Sequence, residues 1–165
     1  MYFLPLPTSL LPALTVVALA LLAGCSTTQE ITLGAAVPKK VFTTVAHVQS
    51  DGNSSQMNSL LEAALLKEQL TVVGALPSGT RTAPDIDALV SYSDVWRWDL
   101  VMYLKHLTVQ LYDAETGQLV ALGRWSDSPM HGFRDPKTIM DGLISDLVNK
   151  VRGAKPIASA TASIP

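Results

Sequence analysis

The chain has 165 residues, enough for one domain with a real core, and its net charge of −2 comes from 12 Lys and Arg against 14 Asp and Glu. No basic stripe of the kind that binds nucleic acid interrupts this balance. The single cysteine, Cys25, excludes an internal disulfide, so packing alone must hold the fold.

The first feature in chain order is apolar. Leu10, Leu11, Leu14, Val16, Val17, Leu19, Leu21 and Leu22 make a largely hydrophobic run through Ala23, and residues 1–24 carry no charged side chain. The run is shorter than the ~20 residues a spanning helix needs. It suits the apolar region of a signal peptide followed by a small-residue cleavage site. As an ordinary core helix it would be spoiled by Pro5, Pro7 and Pro12. Its end, Leu22-Ala23-Gly24-Cys25, resembles the lipobox of bacterial lipoproteins. The resemblance implies cleavage between Gly24 and Cys25, a diacylglycerol thioether on Cys25 and a further acyl chain, such as palmitate, on its new amino group. Residues 1–9 hold neither Lys nor Arg, a departure from the basic start of such signals. Two or more acyl chains anchor stably, at roughly 0.8 kcal/mol per buried methylene. Ser26 in place of Asp after the cysteine resembles default sorting to the outer membrane, on its periplasmic face.

Composition then divides the chain into a signal segment (1–24), a lipidated tether (25–38), one α+β domain (39–153) and a disordered Ala/Ser/Thr tail (154–165). Within the domain, Val41 to Val48 reads as a strand. Asp51-Gly52-Asn53-Ser54 supplies turn and N-cap chemistry, and Met57, Leu60, Leu61, Ala64 and Leu65 follow at helical spacing. Leu70 to Val73 reads as a short strand, and 75–87, with two prolines, as a long connection. Ala88 to Trp98 and Leu100 to Tyr112 are strand-like, the second with Val101, Tyr103, Leu107, Val109 and Leu111 on one face. Asp113-Ala114-Glu115-Thr116-Gly117 makes a hairpin into a strand over Gln118 to Trp125. Asp135-Pro136 starts a helix whose apolar face is Ile139, Leu143, Leu147 and Val151, ending at Gly153. The expected order is β-α-β-β-β-β-α, a mostly antiparallel sheet of four or five strands with two helices packed on it.

The segment Asp113 to Val120, followed by Arg124-Trp125, resembles a hairpin found before the last helix of several uncharacterised families of small proteobacterial lipoproteins. The element order is also similar, at fold level, to the domain shared by the curli secretion lipoprotein and the amino-terminal domain of TolB-like proteins. The second of these resemblances implies assembly or docking in the envelope.

Chemistry concentrates in Tyr92, Asp94, Trp96, Arg97, Trp98 and Asp99. On a strand, Asp94, Trp96 and Trp98 point one way and Arg97 and Asp99 the other. Aromatics of this kind either cover a sheet or, with Arg, form a recognition surface. Acid–base catalysis would need Asp94 and Asp99 in one cleft, against the alternation. His47, His106 and His131 are scattered, without the spacing of a metal site, and read as surface or edge residues. Neither a nucleophile elbow nor a phosphate-binding glycine loop is present. The reading is a non-enzymatic envelope lipoprotein without cofactor or metal, held to the membrane by lipid on Cys25 and bound to another envelope protein or to itself. The alternative is a lipoprotein that binds a small ligand or glycan, marked by a deep pocket beside Tyr92 and Trp96.

Overall fold

The computed structural model describes residues 27–35, 41–128 and 133–154. The expected signal segment, the cleavage site expected between Gly24 and Cys25, His131 and the tail from 155 onward lie outside the described residues. The elements in chain order are β1 (Thr28–Leu33), β2 (Thr44–Val48), α1 (Ser55–Lys67), β3 (Thr71–Leu76), β4 (Ala88–Asp99), β5 (Val101–Asp113), β6 (Leu119–Ser126) and α2 (Pro136–Gly153). The strands form one sheet in the order β1-β6-β5-β4-β2-β3.

The fold is the expected α+β sheet with two helices, but the sheet has six strands rather than four or five. The additional strand, β1, arises inside the stretch expected to be a free tether. It pairs antiparallel with β6 from Thr28 opposite Ser126 to Leu33 opposite Ala121. Only Ile31 of β1 packs against the core, so little apolar pattern announces it. Its place is secured by the backbone ladder and by α2, from which Lys150 Nζ donates to the Ile31 carbonyl at 3.0 Å. Gln29 Nε2 likewise donates to Asp146 Oδ2 at 2.7 Å.

Strand β2 runs parallel to both β3 and β4, and parallel neighbours require crossovers. Helix α1 makes the first crossover. The 77–87 connection makes the second on the opposite face, where Ala83 and Ile86 cover Ala46, Val48 and Leu89. Its length thus serves packing. The remaining pairs, β4 with β5, β5 with β6 and β6 with β1, are antiparallel. Both sheet edges are blunted against chance pairing, β3 by a bulge at Val73 and β1 by Glu30 and Gln29.

The main core lies between the sheet and the helices. Met57, Leu61, Ala64 and Leu65 of α1 meet Ile139, Met140, Leu143, Ile144, Leu147 and Val151 of α2 over Val45, Val90, Tyr92, Leu107, Val109 and Ala121. Asp135 caps α2 as expected, accepting from the Lys137 and Thr138 backbone amides, with Pro136 at the first helical position. Asp141 ties the helices together between Lys137, at 2.7 Å, and Lys67, at 2.6 Å. Hydrogen bonds from Lys137 and then Lys67 hold its carboxyl below the usual carboxylate range.

The β5–β6 hairpin closes as the sequence suggests. Asp113 Oδ1 accepts from the amides of Glu115 and Thr116, and Gly117 takes a φ of +70°. A Cβ on Gly117 would stand 2.9 Å from the Arg81 carbonyl oxygen. Gly117→Ala is therefore expected to lower stability by about 1–3 kcal/mol, read as an earlier urea midpoint with unchanged slope.

Candidate functional site

The β4–β5 hairpin carries every residue singled out as a recognition surface, and the structure divides them into two groups. The first group is structural. Tyr92 is 1% exposed, and its hydroxyl lies 2.6 Å from Asn58 Oδ1 and 3.1 Å from the Ser54 carbonyl. The Tyr92 carbonyl accepts from Asn53 Nδ2 at 2.7 Å. Burial, helped by the Asp94 charge, pushes the Tyr92 phenol well above its usual range. Asp94 accepts from the Ser54 hydroxyl at 2.9 Å and from the indole Nε1 of Trp96. Ser54 is the N-cap of α1 yet makes no cap bond of its own side chain. Strand β4 thus pins the start of α1 through Tyr92 and Asp94, and half-buried Trp96 packs on the main core.

The second group is exposed. Arg97, Trp98 and Asp99 lie on the outer part of the hairpin, where Trp98 is 71% exposed. Trp98 pairs with Met102 and Asp99 with Val101, and Leu100 alone joins the strands. Leu100 is 81% exposed and holds a φ of +63°. A left-handed backbone costs about 1–2 kcal/mol in a residue with a Cβ, so glycine or asparagine is the default there. An apolar side chain kept at a strained, solvated turn is an outlier of the kind that marks function. Val101 and Met102 continue the patch at 50% and 57% exposure. Phe133 meets Tyr103 edge-on at 5.9 Å just behind it.

A bulge in β5 corrects one expected face. Trp96 pairs with Leu104 and Val95 with His106, leaving Lys105 as the extra residue. Leu104 therefore joins the core, while Val101 and Tyr103 turn to the face opposite Leu107. Lys105 holds the loop after β6, donating to the carbonyls of Asp127 and Ser128 at 3.2 and 3.1 Å. Sequence alternation alone had no means of placing this bulge.

His47 is a second correction. It is not at an edge but buried, 1% exposed, and stacked on Tyr92 with ring centroids 5.5 Å apart. Burial lowers its pKa below 6.5, partly opposed by the Glu62 charge. The folded state therefore binds this proton less readily than the unfolded chain does. Stability is full above pH ~6.5 and falls below it, by at most ~1.4 kcal/mol per pH unit, until the lowered folded pKa is reached. A denaturation series from about pH 7 to 5 is expected to show this loss in the parent and not in His47→Phe. Equal slopes in both would contradict the assignment.

Asp94 and Asp99 do fall on opposite faces, and Asp94 is committed to Ser54 and Trp96. Among the described residues, no group of three or more His, Cys, Asp or Glu is placed to hold a metal ion. Two open hollows lie elsewhere. One, of about 220 Å³, is lined by Arg81, Ser91 and Tyr112 on the sheet face away from the helices. The other, of about 360 Å³, is lined by Thr27, Trp125, Arg134 and Ile139. Neither is lined by Tyr92 or Trp96, the pair expected to mark a ligand pocket.

No family model matches the chain, and no curated protein matches it. Solved structures do. The PelC dodecamer from Paraburkholderia phytofirmans is similar with a TM-score of 0.52 at 14% identity, covering 79% of this chain and 100% of that one. A point variant of PelC from the same organism, also a dodecamer, gives a TM-score of 0.50 at 16% identity, with 79% and 100% covered. A minor lipoprotein from Acinetobacter baumannii matches with a TM-score of 0.33 at 9% identity, over 67% of this chain and 91% of that one. At such identities the PelC likeness shows a shared fold.

Proposed function

We propose that the chain is a non-enzymatic lipoprotein of the bacterial cell envelope, held by lipid on Cys25 to the periplasmic face of the outer membrane and working as an assembly of its own copies. The observation that carries the reading is the lipobox-like Leu22-Ala23-Gly24-Cys25, placed three residues before the first strand of a folded domain. The domain starts on the anchor instead of hanging from a long tether. Self-assembly is supported by the fold it shares with PelC, a dodecamer whose whole length the likeness covers. The absence of catalysis is supported by the engagement of Asp94 in helix pinning and by its separation from Asp99. Ligand or glycan binding is the weaker alternative, because Tyr92 is sealed in the core.

Amine cross-linking in intact cells tests the reading. The expected result is a ladder of multiples of the chain's own mass in the outer-membrane fraction. Monomer alone, or the chain in the soluble periplasmic fraction, would contradict it.

A further inference from the structure

Thr28 pairs with Ser126, Ser126 with His106 and His106 with Val95, so these four residues form one row across the sheet. Two segments leave the sheet beyond that row. One is the chain at Thr27, the residue before β1; Cys25, three residues before Thr28 in sequence, can lie at most about 11 Å from Thr28. The other is the hairpin, which continues from Trp96 to Leu100 and projects roughly 15 Å at strand spacing. The start of β1 at Thr28 and the hairpin stand about 10–14 Å apart across the intervening strands. The leash is shorter than the projection. A bilayer that holds the Cys25 lipid is therefore within reach of the tip.

We infer that the β4–β5 tip inserts into the headgroup region of the leaflet that holds the Cys25 lipid, giving the domain a second contact with a lipid surface. The inference rests on lipid attachment as proposed above. The side chains suit that depth. Leu100, Val101 and Met102 form the exposed apolar end, and Trp98 lies just behind it, as tryptophan does at membrane interfaces. Arg97 follows one step back, where its guanidinium meets lipid phosphates. Leucine at the strained turn is accounted for by the same contact, since glycine would relieve the backbone but remove the apolar end. Insertion at two points also fixes the orientation of the sheet, with its strands running away from the bilayer.

The test uses the full, lipidated chain reconstituted in vesicles of phosphatidylethanolamine and phosphatidylglycerol that carry doxyl groups near the headgroups. Tryptophan emission is expected to be blue-shifted and quenched in the parent, and Trp98→Phe should remove most of the quenching. Leu100→Gly keeps the fold and relieves strain, so reduced Trp98 quenching in that variant reports lost insertion and not misfolding. The mass of the amino-terminal peptide is measured on the same sample. Lipid on Cys25 with unquenched Trp98 overturns the inference and leaves the anchor standing. Unmodified Cys25 overturns both. A Met102→Cys variant that cross-links copy to copy through the tip while Trp98 stays unquenched would assign the patch to a protein contact instead.

Discussion

Tyr92→Ala is expected to destabilise the domain by about 3–5 kcal/mol, whereas Trp98→Ala, six residues along the same strand, should change stability by less than about 0.5 kcal/mol. The contrast follows from position. Tyr92 fills space between β4 and α1, supports the stacked His47 ring and binds the first turn of α1 through Ser54 and Asn58. Truncation removes the ring, opens a cavity and leaves buried polar partners without their donor, and each of these acts in the same direction. Trp98 is 71% exposed and has little packing to lose. Urea unfolding of the two variants beside the parent checks the pair of values. A large loss in Trp98→Ala would place the tip in the core and undo its reading as a contact surface.

Cys25→Ser is expected to release the protein from the membrane with its domain folded. A palmitoyl chain supplies on the order of 10 kcal/mol of membrane affinity, at roughly 0.8 kcal/mol per buried methylene, and a lipoprotein carries more than one such chain. The tip cannot replace this. At about 25 cal/mol per Å², one tryptophan and three aliphatic side chains contribute only a few kcal/mol even when fully withdrawn from water. Without the lipid the tip would bind vesicles weakly and reversibly, so the variant should appear in the soluble fraction after osmotic release. Retention in the membrane fraction at the parent level would show that attachment does not depend on Cys25.

The sequence pattern made most of the scaffold legible because its signals are local. Asp135-Pro136 gives the start of α2, Gly117 marks the β5–β6 turn and the spacing of Met57, Leu61 and Leu65 marks α1. Its failures are equally physical. Strand β1 offers one core contact, Ile31, and depends on partners in β6 and α2 that are about a hundred residues away in sequence. The β5 bulge at Lys105 reverses the faces of Val101 and Tyr103, and an inserted residue leaves no mark in an alternating pattern. The candidate site was half legible. A cluster of Tyr, Trp and Arg was evident, but whether each was core or surface depended on where the helices end above β4. Tyr92 and Trp96 fall beneath them, and Trp98 falls beyond. His47 was misplaced because one histidine among small apolar residues reads the same at an edge as in a core.

Native mass spectrometry of the detergent-extracted protein reads the lipid on Cys25 and the assembly of copies together. The expected result is a complex of several copies, each with the mass of a chain that begins at Cys25 and carries acyl groups. A single chain with an unmodified Cys25 would contradict it.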